Sequence, residues 1–151
     1  MSAHKERRLF EDAIQEVIED NKATGTLVGV SFIKGLSNSE KSATPRVEIL
    51  CNAIEFERIG DTITGNSSMQ AEITLYSNAH DVSRGTHATN AGAIEDVMFA
   101  TNLVALFVAT DVDDFTARQV YPVSAEDFVE GDLAASRITI QADNCNVIET
   151  T

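Results

Sequence analysis

Residues 46–107 read RVEILCNAIEFERIGDTITGNSSMQAEITLYSNAHDVSRGTHATNAGAIEDVMFATNLVALF, and their periodicity decides the fold class. Within Arg46–Glu57, Val47, Ile49, Cys51 and Ala53 fall on one side. Within Met69–Ser77, Met69, Ala71, Ile73 and Leu75 do the same. A period of two over this length marks half-buried strands. The connection Ile59–Ser68 carries Gly60, Asp61, Gly65 and Asn66, which is hairpin chemistry. In the first arm the apolar phase slips from Ala53 to Ile54 and Phe56, so a bulge or strong twist is expected near Ala53. The hairpin is long for a domain this small, and a hairpin that outgrows its core reaches for another subunit. Nothing in the segment has the look of a catalytic centre.

On the N-terminal side, Leu9, Phe10, Ala13, Ile14, Val17 and Ile18 recur at helical spacing, predicting an amphipathic helix over Ala3–Asn21 that stops before Gly25. Thr26–Ile33 reads as a short strand and Gly35–Pro45 as a polar loop. On the C-terminal side, SNAHDVSRGTH reads as a loop, with Thr86 as N-cap of a second helix from His87 to about Ala105. Its buried stripe is Ala91, Ile94, Val97, Met98, Thr101, Val104 and Ala105. Asp111–Asp114 is a turn, Ala117–Val123 a strand whose Pro122 favours an edge, Ser124–Asp132 an acidic loop, and Leu133–Ala142 a last strand. The order α-β-β-β-α-β-β implies an α+β fold: a mixed or antiparallel sheet with a long hairpin and two helices on one face. With 151 residues, no repeat and no linker, residues 1–151 are expected to form one domain. Phe10, Ile14, Val17, Ile49, Ile73, Leu75, Ile94, Met98 and Ile140 are the expected core, and Tyr76, Phe99, Phe107 and Tyr121 read as core aromatics.

Composition narrows the function. Apolar residues are 43% and charged residues 23%, both globular values. No apolar run approaches the roughly 18 residues that span a bilayer. The opening MSAHKERRLF has no apolar region behind its bases, so a soluble cytoplasmic protein with no membrane partner is expected. Without a secretory signal, the sequon at Asn66-Ser67-Ser68 carries no meaning. The formal net charge is −13, with 24 acids against 11 bases. Between Asp111 and Asp132 lie Asp111, Asp113, Asp114, Glu126, Asp127, Glu130 and Asp132, with Arg118 as the only base. Such a surface offers phosphates repulsion in place of counterion release, which argues against nucleic-acid binding. The one basic cluster, Lys5, Arg7 and Arg8, is read as a solvated helix face, with a partner-binding patch as the other reading.

Cys51 and Cys145 make no metal spacing and no C-x-x-C. Cys51 reads as a small core residue and Cys145 as part of a polar tail, with no disulfide expected between them. His80, Asp81 and His87 are the one cluster that could suggest zinc or acid–base chemistry. Their spacing fits no motif, and loop polarity with helix capping accounts for them. No G-x-S-x-G, H-E-x-x-H, P-loop or G-x-G-x-x-G occurs. No catalytic residue, metal or cofactor is expected.

The chain resembles the tail terminator, or tail completion, proteins of long-tailed phages and related contractile particles. The resemblance rests on an N-terminal helix, a loop ending in Pro, PRVEILCNAIEFE, MQAEITLYSNAHD, a helix carrying GAIEDVM, an acidic stretch, VYPVS and SRITIQA. It covers about Glu6–Ala142 and is one of order and texture rather than of a signature motif. It implies a homo-hexameric ring in the virion neck, assembled in the host cytoplasm. The ring would cap the tail tube, stop its polymerisation and meet a head-side connector or stopper protein, by geometry and without catalysis. Ile59, Asp61, Thr62, Thr64 and Asn66 are the expected interface residues, since a long hairpin suits sheet augmentation between neighbours. Asp113, Asp114 and Asp127 are the expected channel-facing acids, in a bore that passes DNA without holding it. A head-completion, stopper or other neck adaptor protein is the alternative, and a small ligand-binding domain a more distant one. The isolated protein is expected not to retain duplex DNA in a gel-shift assay at physiological salt. A retained band would overturn the electrostatic reading.

Overall fold

The computed structural model describes residues 3–35, 44–59, 62–110, 115–143 and 145, without the side chains of residues 3 and 57–66. Its elements are α1 (Ala3–Asn21), β1 (Ser31–Lys34), β2 (Arg46–Ile59), β3 (Thr62–Ser77), α2 (Ala79–Ser83), α3 (Thr86–Met98), α4 (Leu103–Thr110), β4 (Gln119–Glu130) and β5 (Leu133–Asp143). The five strands form one sheet in the order β1-β2-β3-β5-β4. β1 runs parallel to β2 and every other pairing is antiparallel, so the expected α+β class with a mixed sheet holds.

The core lies where the period-two pattern put it. Val47, Ile49 and Cys51 on β2 and Met69, Ala71, Ile73 and Leu75 on β3 are all buried. Phe10, Ala13, Ile14, Val17 and Ile18 of α1 pack over them. Phe10 also stacks on Phe115, with ring centroids 5.0 Å apart, and meets Phe107 of α4. All nine residues expected in the core are buried to 2% exposure or less. Removing each such side chain from water contributes about 1.5–3 kcal/mol.

The structure departs from the sequence reading at several places. The segment read as strand from Thr26 is strand only from Ser31. Gly25, Leu27 and Gly29 all take positive φ, coiling the chain before it can pair, and the Leu27 N–H is held by Asn90 Oδ1. The single helix expected over His87–Ala105 is two, α3 and α4, meeting at 88°. Ala105 N–H can turn to the Asn102 side chain, which starts α4 afresh. Thr86 is the first helical residue rather than the cap, and Gly85 holds the cap position at φ 78°. The loop before it contains α2, capped by Asn78, whose Oδ1 accepts from the Asp81 N–H at 2.9 Å. The acidic "loop" Ser124–Asp132 is mostly the second half of β4. An edge strand can present Glu126, Asp127 and Glu130 to water while Phe128 packs. Phe99 and Tyr121 are 46% and 37% exposed, so neither is a core aromatic. Cys145 is buried, its N–H donating to Ser67 O, while Cys51 and Cys145 are both free thiols.

Two expectations about irregularity hold. The β2–β3 register shifts between Cys51 and Ala53, where the bulge was expected. Pro122 lies on β4, an edge strand, beside a second register shift to Ser124.

Ile94 lies on α3 at 2% exposure inside the main cluster. Ile94→Ala is expected to cost on the order of 2–5 kcal/mol in urea unfolding. A loss below about 0.5 kcal/mol would show that α3 does not seal this core.

Candidate interaction surfaces

The first surface is the far part of the hairpin. Pairing of β3 with β5 begins only at Met69, and pairing of β2 with β1 ends at Ile49. Beyond those limits the described ladder joins β2 to β3 alone, out to Ile59 opposite Thr62, with the Cys145 N–H on Ser67 O at the root of the arm. Seven residues, Thr62–Ser68, extend roughly 20 Å at strand rise. The expected ten-residue connection is therefore mostly strand, because Thr62, Ile63 and Thr64 are β-branched and continue the ladder. Of the expected interface residues, Ile59 and Thr62 form the last ladder pair, and Thr64 and Asn66 lie in the β3 arm. Their side chains, and Asp61 altogether, lie outside the described residues. Phe56, on the described part of the arm, is 36% exposed.

α1 fixes where this arm departs. At the bulge, the Cys51 N–H donates to Glu11 Oε2 at 2.7 Å, and Arg8 Nη2 donates to Cys51 O at 3.0 Å. Arg8 and Glu11 pair with each other at 2.9 Å. Gly35 fits beside them because a Cβ there would come within 3.0 Å of the Arg8 guanidinium, at a φ of +70°. Burial is the main cause that raises the Glu11 carboxyl from 4.5 to about 6.

The second surface is the sheet face away from the helices. The Arg46 guanidinium lies 4.6 Å over the Tyr76 ring, and Tyr76 meets Phe128 edge-on at 6.4 Å. Arg137 lies 4.7 Å over Phe128 and reaches Thr74, Glu72 and Glu126. Arginine–aromatic stacking thus ties β2, β3, β5 and β4 together across the face. Burial, and then a hydrogen bond with Glu130, raises the Tyr76 phenol above its ordinary value. The sequence shows these residues on the polar face of their strands, but only the register brings them into one column.

The third surface is a groove of about 510 Å³ between α3 and the β4–β5 hairpin. Val82, Ala88, Ala91, Gly92, Val129 and Ala134 line it. Small residues on α3 keep its wall back from β4. The polar rim contains His87, whose Nδ1 is 2.6 Å from Ser77 Oγ and whose Nε2 is 2.9 Å from Ser136 Oγ. Ser136 gives its one proton to Asp127 Oδ1 at 2.6 Å. With that proton committed, Ser136 Oγ accepts from the His87 Nε2–H. The chain Ser77–His87–Ser136–Asp127 pins α3 to β3 and β5. Ser77 is fully buried and presents no nucleophile to solvent. Of the expected channel acids, Asp127 is exposed on β4 and borders this groove, whereas Asp113 and Asp114 lie outside the described residues. His80 is exposed on α2 and Asp81 is in its first turn, so the His80–Asp81–His87 cluster divides between a helix start and the groove rim. Among the described residues, no group of three or more His, Cys, Asp or Glu could hold a metal ion.

No family model and no curated protein matches this sequence. In fold, the chain is similar to a chain in a solved structure titled virion of native gene transfer agent (GTA) particle. The TM-score is 0.61 at 14% identity, over 97% of this chain and 100% of that one.

Glu11 gives a pH signature. The folded protein holds a proton at about 6 that the unfolded chain gives up near 4.5, so this stabilisation is complete below pH 4.5 and is lost as pH rises through 6. Relative to Glu11→Gln, the urea-unfolding free energy of the native protein is expected to fall by up to about 2 kcal/mol between those limits. A difference that stays constant with pH would place the Glu11 carboxylate in a wetter, better-paired setting.

Proposed function

We propose that this protein is a structural component of a phage-like particle: a tail terminator that forms a hexameric ring at the end of the tail tube. The observation that carries the reading is the fold shared with a virion chain over nearly the whole of both chains. The ring would stop tube growth by offering the tube one matching face and the head-side connector a different one. Assembly would take place in the host cytoplasm, and the ring would end in the neck of the virion.

Two features support it. Among the described residues, the arm beyond Met69 is a two-stranded ribbon with no third strand or helix paired along it, a form marginal in water and suited to augmentation by a neighbour. The net charge of −13, with Asp127 exposed on β4, suits a bore that repels phosphate. The reaction asked of the chain is assembly, so its energetics are those of an interface rather than of a transition state.

The test is assembly on tubes. Protein added to terminator-deficient tail tubes should cap one end with a ring visible by electron microscopy and arrest elongation. Deleting Ile59–Asn66 should impair ring formation while leaving the circular dichroism of the fold unchanged. A shortened protein that caps tubes normally would remove the hairpin from the joint.

A further inference from the structure

Both strands beside β3 lose step close to one level of the sheet. On one side, β2 carries an extra residue between Cys51, opposite Ala71, and Ala53, opposite Gln70. On the other, β5 keeps step as far as Ala142 opposite Met69, and the Cys145 N–H then meets Ser67 O at 2.9 Å, one residue out of step. β3 itself pairs with β2 at every residue from Tyr76 to Ser67. A bulge bends its strand and disrupts the ladder locally. Two such breaks on either side of an unbroken strand draw a line across the sheet along which it can fold.

Each break is pinned from outside the regular ladder. On the β2 side, α1 holds the Cys51 N–H with Glu11 Oε2 at 2.7 Å and the Cys51 carbonyl with Arg8 Nη2 at 3.0 Å. On the β5 side the pin is Cys145, whose thiol donates to Ala142 O at 3.3 Å while its N–H holds Ser67. Cys51, Met69 and Cys145 all belong to the buried cluster, so the line crosses the end of the core. Past it the described ladder joins β2 to β3 alone.

We propose that this line is a hinge, and that the Arg8–Glu11 grip on Cys51 and the Cys145 grip on Ser67 form a paired latch that sets the angle of the arm and releases as one unit. The two pins hold the two strands of a single ribbon. Loss of one leaves the other to hold the whole ribbon, so the openings are coupled through the β2–β3 pairs between them. Openings of this kind belong to the low end of a protein's range of local stabilities. The hinge is a property of the single chain. The ring reading is needed only for its use, which is to let the arm meet a neighbouring subunit at the angle the ring sets.

The two thiols report the latch. Burial is the largest cause that pushes both up to about 12, so neither reacts until the root of the arm opens. The monomer is alkylated with iodoacetamide at fixed pH, and each cysteine is read by mass spectrometry. Cys51 and Cys145 should react at similar rates that urea below the unfolding transition barely changes, because a local opening exposes little surface. Arg8→Met removes the contact to the Cys51 carbonyl. The Arg8 side chain is 27% exposed, so this variant should fold, which circular dichroism checks. It should speed alkylation of Cys145 severalfold, although Arg8 and Cys145 share no described contact. Glu11→Gln, which keeps an acceptor for the Cys51 N–H and loses the charge beside Arg8, should do the same to a smaller extent. Acceleration confined to Cys51, or Cys145 rates that rise with urea as steeply as global unfolding does, would overturn the paired latch. Because the measurement is made on the monomer, that result would leave the ring reading standing.

Discussion

The grip of α1 on the backbone of Cys51 is the contact on which the rest of the structure turns. One carboxylate oxygen of Glu11 takes the Cys51 N–H, and Arg8 takes the Cys51 carbonyl. At a bulge the ladder leaves backbone groups without their regular partners, and a buried group left so costs about 1–3 kcal/mol. Here a helix supplies the partners. The cost is a buried carboxyl held well above its ordinary value, which the arginine beside it only partly offsets. What this arrangement secures is position: the sheet runs two pairs past the bulge, to Ile54 opposite Met69, and the hairpin continues from there.

That division gives the molecule two unlike ends. At the arm end the backbone is paired within the hairpin, and Phe56 is half-exposed. At the other end the β4–β5 hairpin stands away from α3, leaving an apolar groove with an acidic rim. Between them the sheet is tied on both faces. Helices and the phenylalanine cluster of Phe10, Phe107 and Phe115 close one side. The Arg46–Tyr76–Phe128–Arg137 column closes the other. A stiff sheet suits the ring proposed above, because small errors in subunit angle accumulate around a closed ring.

Much of the fold was legible in the sequence, and the reasons differ by element. β2 and β3 alternate strictly where one face is buried, so Val47 to Cys51 and Met69 to Leu75 declared themselves. α1 did so through its apolar stripe. The bulge showed as a phase slip at Ala53. The first half of β4 was read as strand, but its second half hid because an edge strand open to water has no burial to impose a pattern, and its acids read as a loop. The break between α3 and α4 hid because Leu103–Thr110 is apolar nearly all round and continues the pattern of α3. The surfaces were less legible than the core. The hairpin showed through its alternation, but Thr62–Ser68 read as connection because Gly65 and Asn66 outweighed the β-branched Thr62, Ile63 and Thr64, and the groove depends on Gly92 and small neighbours whose spacing means nothing until β4 is placed. The Ser77–His87–Ser136–Asp127 chain joins four elements and leaves no local trace.

The central claim is the proposed one, that the arm finds a partner strand when the chain assembles. Amide hydrogen exchange, followed by mass spectrometry on the monomer and on the assembled ring, reads this most directly. Amides of Ile54–Ile59 and Thr62–Ser68 should exchange quickly in the monomer, while those of Val47–Cys51 and Ile73–Leu75 stay protected. On assembly the arm should become protected. An arm as protected in the monomer as the central strands, or one unchanged by assembly, would contradict the account.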